Sequence, residues 1–472
     1  MKNDFTRQLV SRIRSGEDFT RSEELSLVIR LAIPAIFAQI ATVLMTCIDA
    51  AMVGNLGARE AAAVGIVTSS TWLFWGLGSA FIAGYPVLAS HRIGAKDYEG
   101  ARALLRQGMT ATALTGLVLA LAGIFISAPL PGLLGAATDV APKATLYFAI
   151  YTAALPILFV SYFAGSMLRA TGNIRIPALL NILMCAEDVF FNALLIFPSR
   201  TLEFAGVSMM LPGAGLGVAG AAFGTVLAEL CTALPMLWFA CVKSPELSLK
   251  KRPGRFWPEA GHFKRAVKIG IPIGCQHIAM CTAQVASTMI VAPLGTVAVA
   301  AHSLAITAEG LCYMPGYGIS EAATSLTGQC IGAKRKELVW RFAKLSIGSG
   351  MSVMTIMGVL LWFAAPAMMA VMSQVPEIIA LGTAVLRIEA FAEPVYAAAI
   401  VTYGVFVGAG DTLAPCLMNL GSMWLARLPA AFLLSHLYGL KGVWLAMCGE
   451  LIFRGAIFLV RFKTGRWLER KA

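Results

Sequence analysis

Residues 31–57 read LAIPAIFAQIATVLMTCIDAAMVGNLG, an apolar run that holds no cation and a single acid, Asp49. At about 1.5 Å of rise per residue such a run outlasts the roughly 30 Å hydrocarbon core of a bilayer, so it reads as a membrane-spanning helix. The pattern is not local. Long apolar runs broken by charge, proline and glycine recur at 25–55, 60–90, 100–127, 141–168, 173–197, 214–242, 264–292, 297–330, 336–365, 377–407, 412–437 and 441–462. These predict an all-α polytopic protein of twelve spans. Composition agrees: 58% of the 472 residues are hydrophobic and 13% charged, with mean hydropathy +0.76. A soluble globular chain carries about twice that charge. Two tails and short loops are left over, which gives no room for a soluble catalytic domain.

The cations give the spans a direction. Of 37 Lys and Arg, 30 fall in the N-terminal segment through Arg30, in the loops after even-numbered spans, and in the C-terminal segment from Arg461. Only Arg59, Lys143, Arg200 and Lys441 fall on the other side, while Arg387, Arg427 and Arg454 lie within spans. Cytoplasmic loops carry the excess of Lys and Arg, so both termini are expected in the cytoplasm of a multi-pass plasma-membrane protein (the inner membrane in a bacterium). The same asymmetry explains the net charge of +12 without a nucleic-acid partner.

A shift of 238 residues lays the chain on itself. Ile33-Pro34 falls on Ile271-Pro272, Leu56-Gly57 on Leu294-Gly295, and Ala62-Ala63 on Ala300-Ala301. Ile93-Gly94-Ala95-Lys96 falls on Ile331-Gly332-Ala333-Lys334, and Gly172, Pro177 and Asn181 fall on Gly410, Pro415 and Asn419. The repeat predicts two pseudo-symmetric six-helix lobes around a central cavity, an arrangement of alternating-access transporters. The lobes are expected at 25–242 and 264–462, with a cytoplasmic N-terminal tail (1–24), a basic linker (243–263) and a C-terminal tail (463–472). In the tail, Phe5, Leu9 and Ile13 recur every fourth residue, which permits a short interfacial helix or a solvated segment.

No phosphate-binding GxxxxGK[ST] loop, HExxH, GxSxG elbow or His/Cys ligand cluster is present, and the ten cysteines lack paired spacing. Direct ATP drive, enzymatic chemistry and a resident cofactor or metal are therefore not expected. Uphill work would draw on an ion gradient.

Attention then falls on charges inside spans, which cost about 3 kcal/mol or more in lipid unless paired, neutralised or wet. Asp49 in span one and Asp188 and Asn192 in span five lie at similar depth below the outer surface, and Asp188 and Asn192, four apart, share a helix face. Two acids and an amide at one level form a candidate ion-coupling site for H⁺ or, as the only metal considered, Na⁺. A hydrogen-bonded packing cluster is the plainer alternative. Glu187 points to another face. In the second lobe, Glu309, Glu321, Glu389 and Glu393 stand with Arg427, Glu450 and Arg454; Glu389 and Glu393, four apart, share a face, and the plainer reading is a charge-neutralising network between spans ten to twelve, with His277 and His302 as packing histidines. Asp49 falls on Ser287 under the 238 shift, so the ion site is expected in the first lobe alone. Dense aromatic and methionine residues suit flat lipophilic cations; Tyr151, Tyr162, Met314, Tyr317 and Tyr396 are the candidate cavity residues. The glycines Gly213, Gly215, Gly217, Gly220 and Gly224 read as a ladder opening span six for close helix contact.

Several blocks resemble the multidrug and toxic compound extrusion (MATE) family: Ile33-Pro34 through Asp49, Val53-Gly54-Asn55-Leu56-Gly57, Ala62-Ala63-Val64-Gly65, Ala292-Pro293-Leu294-Gly295, Ala300-Ala301-His302, Met314 through Ser320, and Gly408-Ala409-Gly410-Asp411-Thr412. The resemblance runs from about residue 25 to 462. It implies a V of two lobes exporting drugs or metabolites in exchange for H⁺ or Na⁺, with Asp49 as the acid of the first span and bending near Pro34 as the hinge. Some members carry Asn-x-x-x-Asp in span five; here the order is reversed. The second-lobe acids of another branch fall at Met280 and Tyr396. The expected partners are a lipophilic or cationic small molecule, the coupling ion and membrane lipid, with the chain acting as a monomer. A lipid-linked oligosaccharide flippase of the same superfamily, and a membrane enzyme or non-transporting scaffold, are the alternatives.

Overall fold

In a computed structural model, which describes residues 2–204, 207–250 and 252–468, almost the whole chain is helical. A short helix α1 (Lys2–Ser15) precedes α2 (Arg21–Gly54), α3 (Ala58–Gly94) and α4 (Tyr98–Ser127), and the single turn α5 (Leu130–Leu133) follows. Next come α6 (Ala141–Ala153), α7 (Leu155–Ala170), α8 (Arg175–Leu195), a hairpin of β1 (Pro198–Phe204) and β2 (Val207–Ala214), and α9 (Val218–Trp238). The second half holds α10 (Ala260–Val291), α11 (Thr296–Gly332), α12 (Lys336–Met372), α13 (Pro376–Glu389) and α14 (Glu393–Gly408). It closes with α15 (Leu413–Gly421), α16 (Leu428–Tyr438) and α17 (Leu440–Thr464), the first two joined through a π-wound segment, Ser422–Arg427. Among the described residues, ten helices, counting α15 and α16 with the π segment as one, are long and apolar enough to cross a membrane. Two further crossings are bent pairs, α6 with α7 at 45° and α13 with α14 at 60°. Numbered in order, these are spans one to twelve.

The bent pairs replace the single helices expected at 141–168 and 377–407. Offset by 238, Ala154 between α6 and α7 falls on Ala392 between α13 and α14, and Pro156 falls on Pro394. Proline has no N–H to give to the preceding turn and fits only where a helix begins, so each repeat restarts its fourth helix at that residue. The loops repeat as closely. Lys96 and Lys334 both take left-handed backbone, with φ of 62° and 59°, although neither is glycine.

The lobes meet through spans one and two of the first and eight and seven of the second. A Cβ on Gly318 would lie 2.6 Å from the Ile36 nitrogen, and one on Gly274 would lie 3.2 Å from the Ala80 Cβ. The offset carries Ile36 to Gly274 and Ala80 to Gly318. One contact is thus made twice, as two lobes related by a pseudo-two-fold axis require.

Between spans five and six the sequence pattern misleads. Gly213 lies in the antiparallel hairpin, whose register pairs Pro198 with Ala214 and Phe204 with Val207, so it does not open span six. Within span six itself, Gly220 and Gly224 make the close approaches to span five, with a Cβ on Gly220 falling 2.4 Å from the Leu195 carbonyl oxygen. The N-terminal helix also differs from a solvated tail. Leu9, Val10 and Ile13 are buried against the bundle, and Arg335 donates to the Glu17 carbonyl at 2.7 Å, tying the segment to the loop between spans eight and nine. Trp467 packs on Trp340 at the start of span nine, so both ends of the chain lie at one end of the bundle. At that same end Asp97 caps α4 through the Gly100 N–H at 2.8 Å and pairs with Arg92, and these two hold its carboxyl below the usual range.

Candidate functional site

Span one enters the site through its own continuity. Helix α2 starts with a reciprocal cap, the Thr20 side chain accepting from the Glu23 N–H and Glu23 reaching back. It then runs unbroken through Pro34 to Gly54, which places Asp49 on the wall facing span five. There the Asn192 side-chain nitrogen donates at 2.9 Å to Asp49 Oδ1 and at 2.9 Å to Asp188 Oδ2. The four-residue spacing puts Asp188 and Asn192 one above the other on α8, and both are fully buried. The three predicted site residues therefore meet. The two carboxyls are held side by side by this one amide.

The donor count of this cluster is short. The Asn192 amide has two N–H bonds and both are used, while its Oδ1 and Asp188 Oδ1 are buried without a hydrogen-bond partner among the described residues. A buried acceptor without a donor costs about 1–3 kcal/mol. An added proton or a small monovalent cation would satisfy these oxygens and relieve the repulsion between two neighbouring carboxylates. Gly224 shapes the wall, since a Cβ there would lie 2.0 Å from Asn192 Oδ1.

Three neighbours were not picked out from sequence. Tyr147 of α6 packs against Val53, Ile196 and Ala221 beside the cluster, Thr225 follows Gly224 on α9, and Glu229 lies one turn further along the same helix. Glu229 carried a signal, an acid inside an apolar span. Tyr147 and Thr225 carried none, because which faces of spans four, five and six come together is a tertiary matter.

The second-lobe acids do not form the expected network. Arg454 is bidentate to Glu450, both contacts at 2.8 Å. Arg427 turns to the Met447 sulfur, and Arg387 donates to the Trp362 carbonyl. Glu309 is buried, and all four carboxylate oxygens of Glu389 and Glu393 are buried without a hydrogen-bond partner among the described residues. The break in span ten falls between Glu389 and Glu393, so they do not share one continuous helix face as their spacing suggested. His302 accepts from the Trp444 indole N–H at 3.1 Å inside the lobe.

The candidate cavity residues disperse. Tyr162 lines a cavity of about 180 Å³ between the lobes, shared by spans two, four, eight and ten, with Ser90, Arg169, Glu321 and Thr324. Tyr317 and Tyr396 both pack edge-on against Tyr313, within the second lobe. Met314 is half-buried on α11, and Tyr151 packs at the first lobe's core. Pro34 is half-buried in span one, five residues before Gln39, whose amide donates to Glu321 at 3.2 Å.

Comparison with known proteins places this geometry. The family model MatE matches twice, over residues 34–194 and 272–433, and its two starting points stand 238 residues apart, the offset of the internal repeat. A probable multidrug resistance protein NorM of Thermotoga maritima is 27% identical over 455 residues, spanning 94% of this chain and 93% of its own. A crystal structure of MATE in complex with MaL6 superposes with a TM-score of 0.87 at 19% identity, covering 98% of this chain and 99% of its own. The Vibrio cholerae MATE transporter VcmN in its bent form gives 0.83 at 18% identity, covering 95% and 98%. These solved structures share the fold.

Proposed function

The chain belongs to the MATE family of membrane transporters and is not an enzyme, and on that premise we propose that it is a multidrug or organic-cation efflux antiporter driven by H⁺ or Na⁺. The observation that carries the reading is the Asn192 amide bridging Asp49 and Asp188 inside the membrane-spanning bundle. Loading the cluster with an ion supplies the missing partners of Asp188 Oδ1 and Asn192 Oδ1, and releasing it returns two carboxylates to mutual repulsion. Span one carries this change toward the lobe interface. Pro34 has no N–H to close the helix onto the preceding turn, so it is the softest point of α2 and the proposed hinge. Both termini face the cytoplasm in this reading, on the strength of the cation asymmetry, and the two lobes, 25–242 and 264–462, rock about the 243–263 linker. No cofactor beyond the coupling ion is required. The flippase alternative calls for a cationic cavity to hold a pyrophosphate, whereas the arginine lining the interlobe cavity is already paired with Glu321.

Proteoliposomes loaded with ethidium test the proposal, with pH and Na⁺ gradients imposed separately. Efflux accelerated by one of them is expected. Efflux indifferent to both contradicts antiport.

A further inference from the structure

The interlobe cavity ends at a pair of opposite charges that spans the two lobes. Arg169, at the end of α7 in the first lobe, holds its Nε 3.8 Å from Glu321 Oε2 on α11 of the second. That separation is Coulombic contact without a hydrogen bond. The guanidinium spends its hydrogen bond elsewhere, donating to Ser166 Oγ at 2.8 Å, and lies over the Tyr162 ring at 5.7 Å from the centroid. Glu321 is one-third exposed and accepts from the Gln39 amide of span one at 3.2 Å. The anionic end of the clasp is therefore open to competition, and the arginine has Ser166 to retreat to.

We propose that this clasp is a recognition site for monovalent lipophilic organic cations, in which the ligand replaces the Arg169 guanidinium against Glu321 and the Tyr162 ring and thereby unfastens the lobes. The inference rests on the efflux reading and names where its substrate is sensed. The cavity measures about 180 Å³, below the roughly 300 Å³ at which sites for drug-sized molecules begin, so a drug fits only when the guanidinium leaves. A cation gains both the carboxylate and the face of the ring; a neutral molecule of the same shape gains neither and cannot compete with Arg169.

Displacement has a mechanical consequence. Carbonyls in the last turn of a helix lack partners within it, and those of α7 are satisfied from the other side of the interface. Ser325 Oγ donates to the Arg169 carbonyl at 2.6 Å and the Gln329 side chain to the Ala170 carbonyl at 3.1 Å. Arg14 of the N-terminal helix donates to the Thr171 carbonyl at 2.9 Å. Drawing Arg169 away pulls on each of these stitches, so occupancy by the drug favours opening at the end of the bundle that carries the termini.

The test compares ethidium with its neutral reduced form, dihydroethidium, binding to the full-length purified chain with no gradient present. Glu321→Gln should weaken ethidium binding about tenfold, the loss of one charge-assisted contact, and leave dihydroethidium unchanged. Arg169→Gln, which removes the internal competitor and spares the backbone stitches, should bind ethidium several-fold tighter; it keeps the proposal testable if Glu321→Gln is not recovered folded. In wild type, ethidium should speed amide hydrogen exchange over residues 166–174 and 322–330, and in Glu321→Gln it should not. Equal weakening toward both dyes, weaker ethidium binding by Arg169→Gln, or unaltered exchange would overturn the clasp as a cation sensor. If gradient-driven efflux persists while Glu321→Gln binds ethidium like wild type, the clasp falls and antiport stands. If the charge-selective binding holds but no gradient drives efflux, antiport falls instead.

Discussion

The two lobes are copies of one scaffold that treat charge in opposite ways. In the first, Asp49, Asp188 and Asn192 are joined by one amide, with Asp49 half-exposed and its partners buried. The offset of 238 carries these three to Ser287, Ala426 and Ala430 in the second lobe, where no acid stands. Conversely, Glu389 and Glu393 of the second lobe correspond to Tyr151 and Leu155 of the first. The winding differs at the same place: α8 is a regular helix, while its counterpart widens into a π segment over Ser422–Arg427, a distortion common at functional or adapted positions. The difference teaches that the repeat preserves helices, breaks and loop conformations but not chemistry. On the proposed function, ion handling belongs to one copy alone.

The sharpest way to break this comparison is to neutralise each lobe in turn. Asp49→Asn or Asp188→Asn should reduce gradient-driven efflux by about a hundredfold or more, a loss on the order of 3 kcal/mol or greater, whereas Glu389→Gln and Glu393→Gln should retain most of it in the same proteoliposome assay. Next in size, Asn192→Ala removes the bridging donor to two charged groups, worth about 1.5–3 kcal/mol each way. The half-saturating concentration of the coupling ion should shift by about tenfold or more, read from efflux as the gradient is titrated. Pro34→Ala restores an N–H to span one; turnover should fall several-fold with equilibrium ethidium binding unchanged, a split measurable by comparing transport with binding. The smallest effect lies outside the membrane. Asp97→Ala removes a helix cap worth about 1 kcal/mol, and lowers the melting temperature at neutral pH. Because the Asp97 carboxyl is held below its ordinary range, its contribution is present at neutral pH and fades as pH falls through the folded-state value. The wild-type and variant melting curves should therefore converge in acid.

Much of this architecture was readable from the chain. Span positions follow from apolar run length, and the lobe repeat follows from Ile33-Pro34 and Ile93 through Lys96 returning at one offset. The meeting of Asp49, Asp188 and Asn192 was legible because depth along a span is fixed by residue count, and helical spacing fixes which side chains share a face. What escaped depends on sideways contact. Thr225 reaches the site because span six packs beside span five, and Tyr147 because the α6 half of span four packs against span six. The break between α13 and α14 parts Glu389 from Glu393 despite their four-residue spacing. The burial of Leu9, Val10 and Ile13 against protein could not be told from burial against lipid, since both are apolar.

Whether the coupling ion is bound and released at the first-lobe cluster is decided by counting ions. In weakly buffered solution, ethidium is added to the purified chain and the H⁺ or Na⁺ released is measured. Release is expected from wild type and from the Glu389→Gln/Glu393→Gln double variant, and none from Asp49→Asn/Asp188→Asn. Release from Asp49→Asn/Asp188→Asn equal to that of wild type would contradict binding at the cluster.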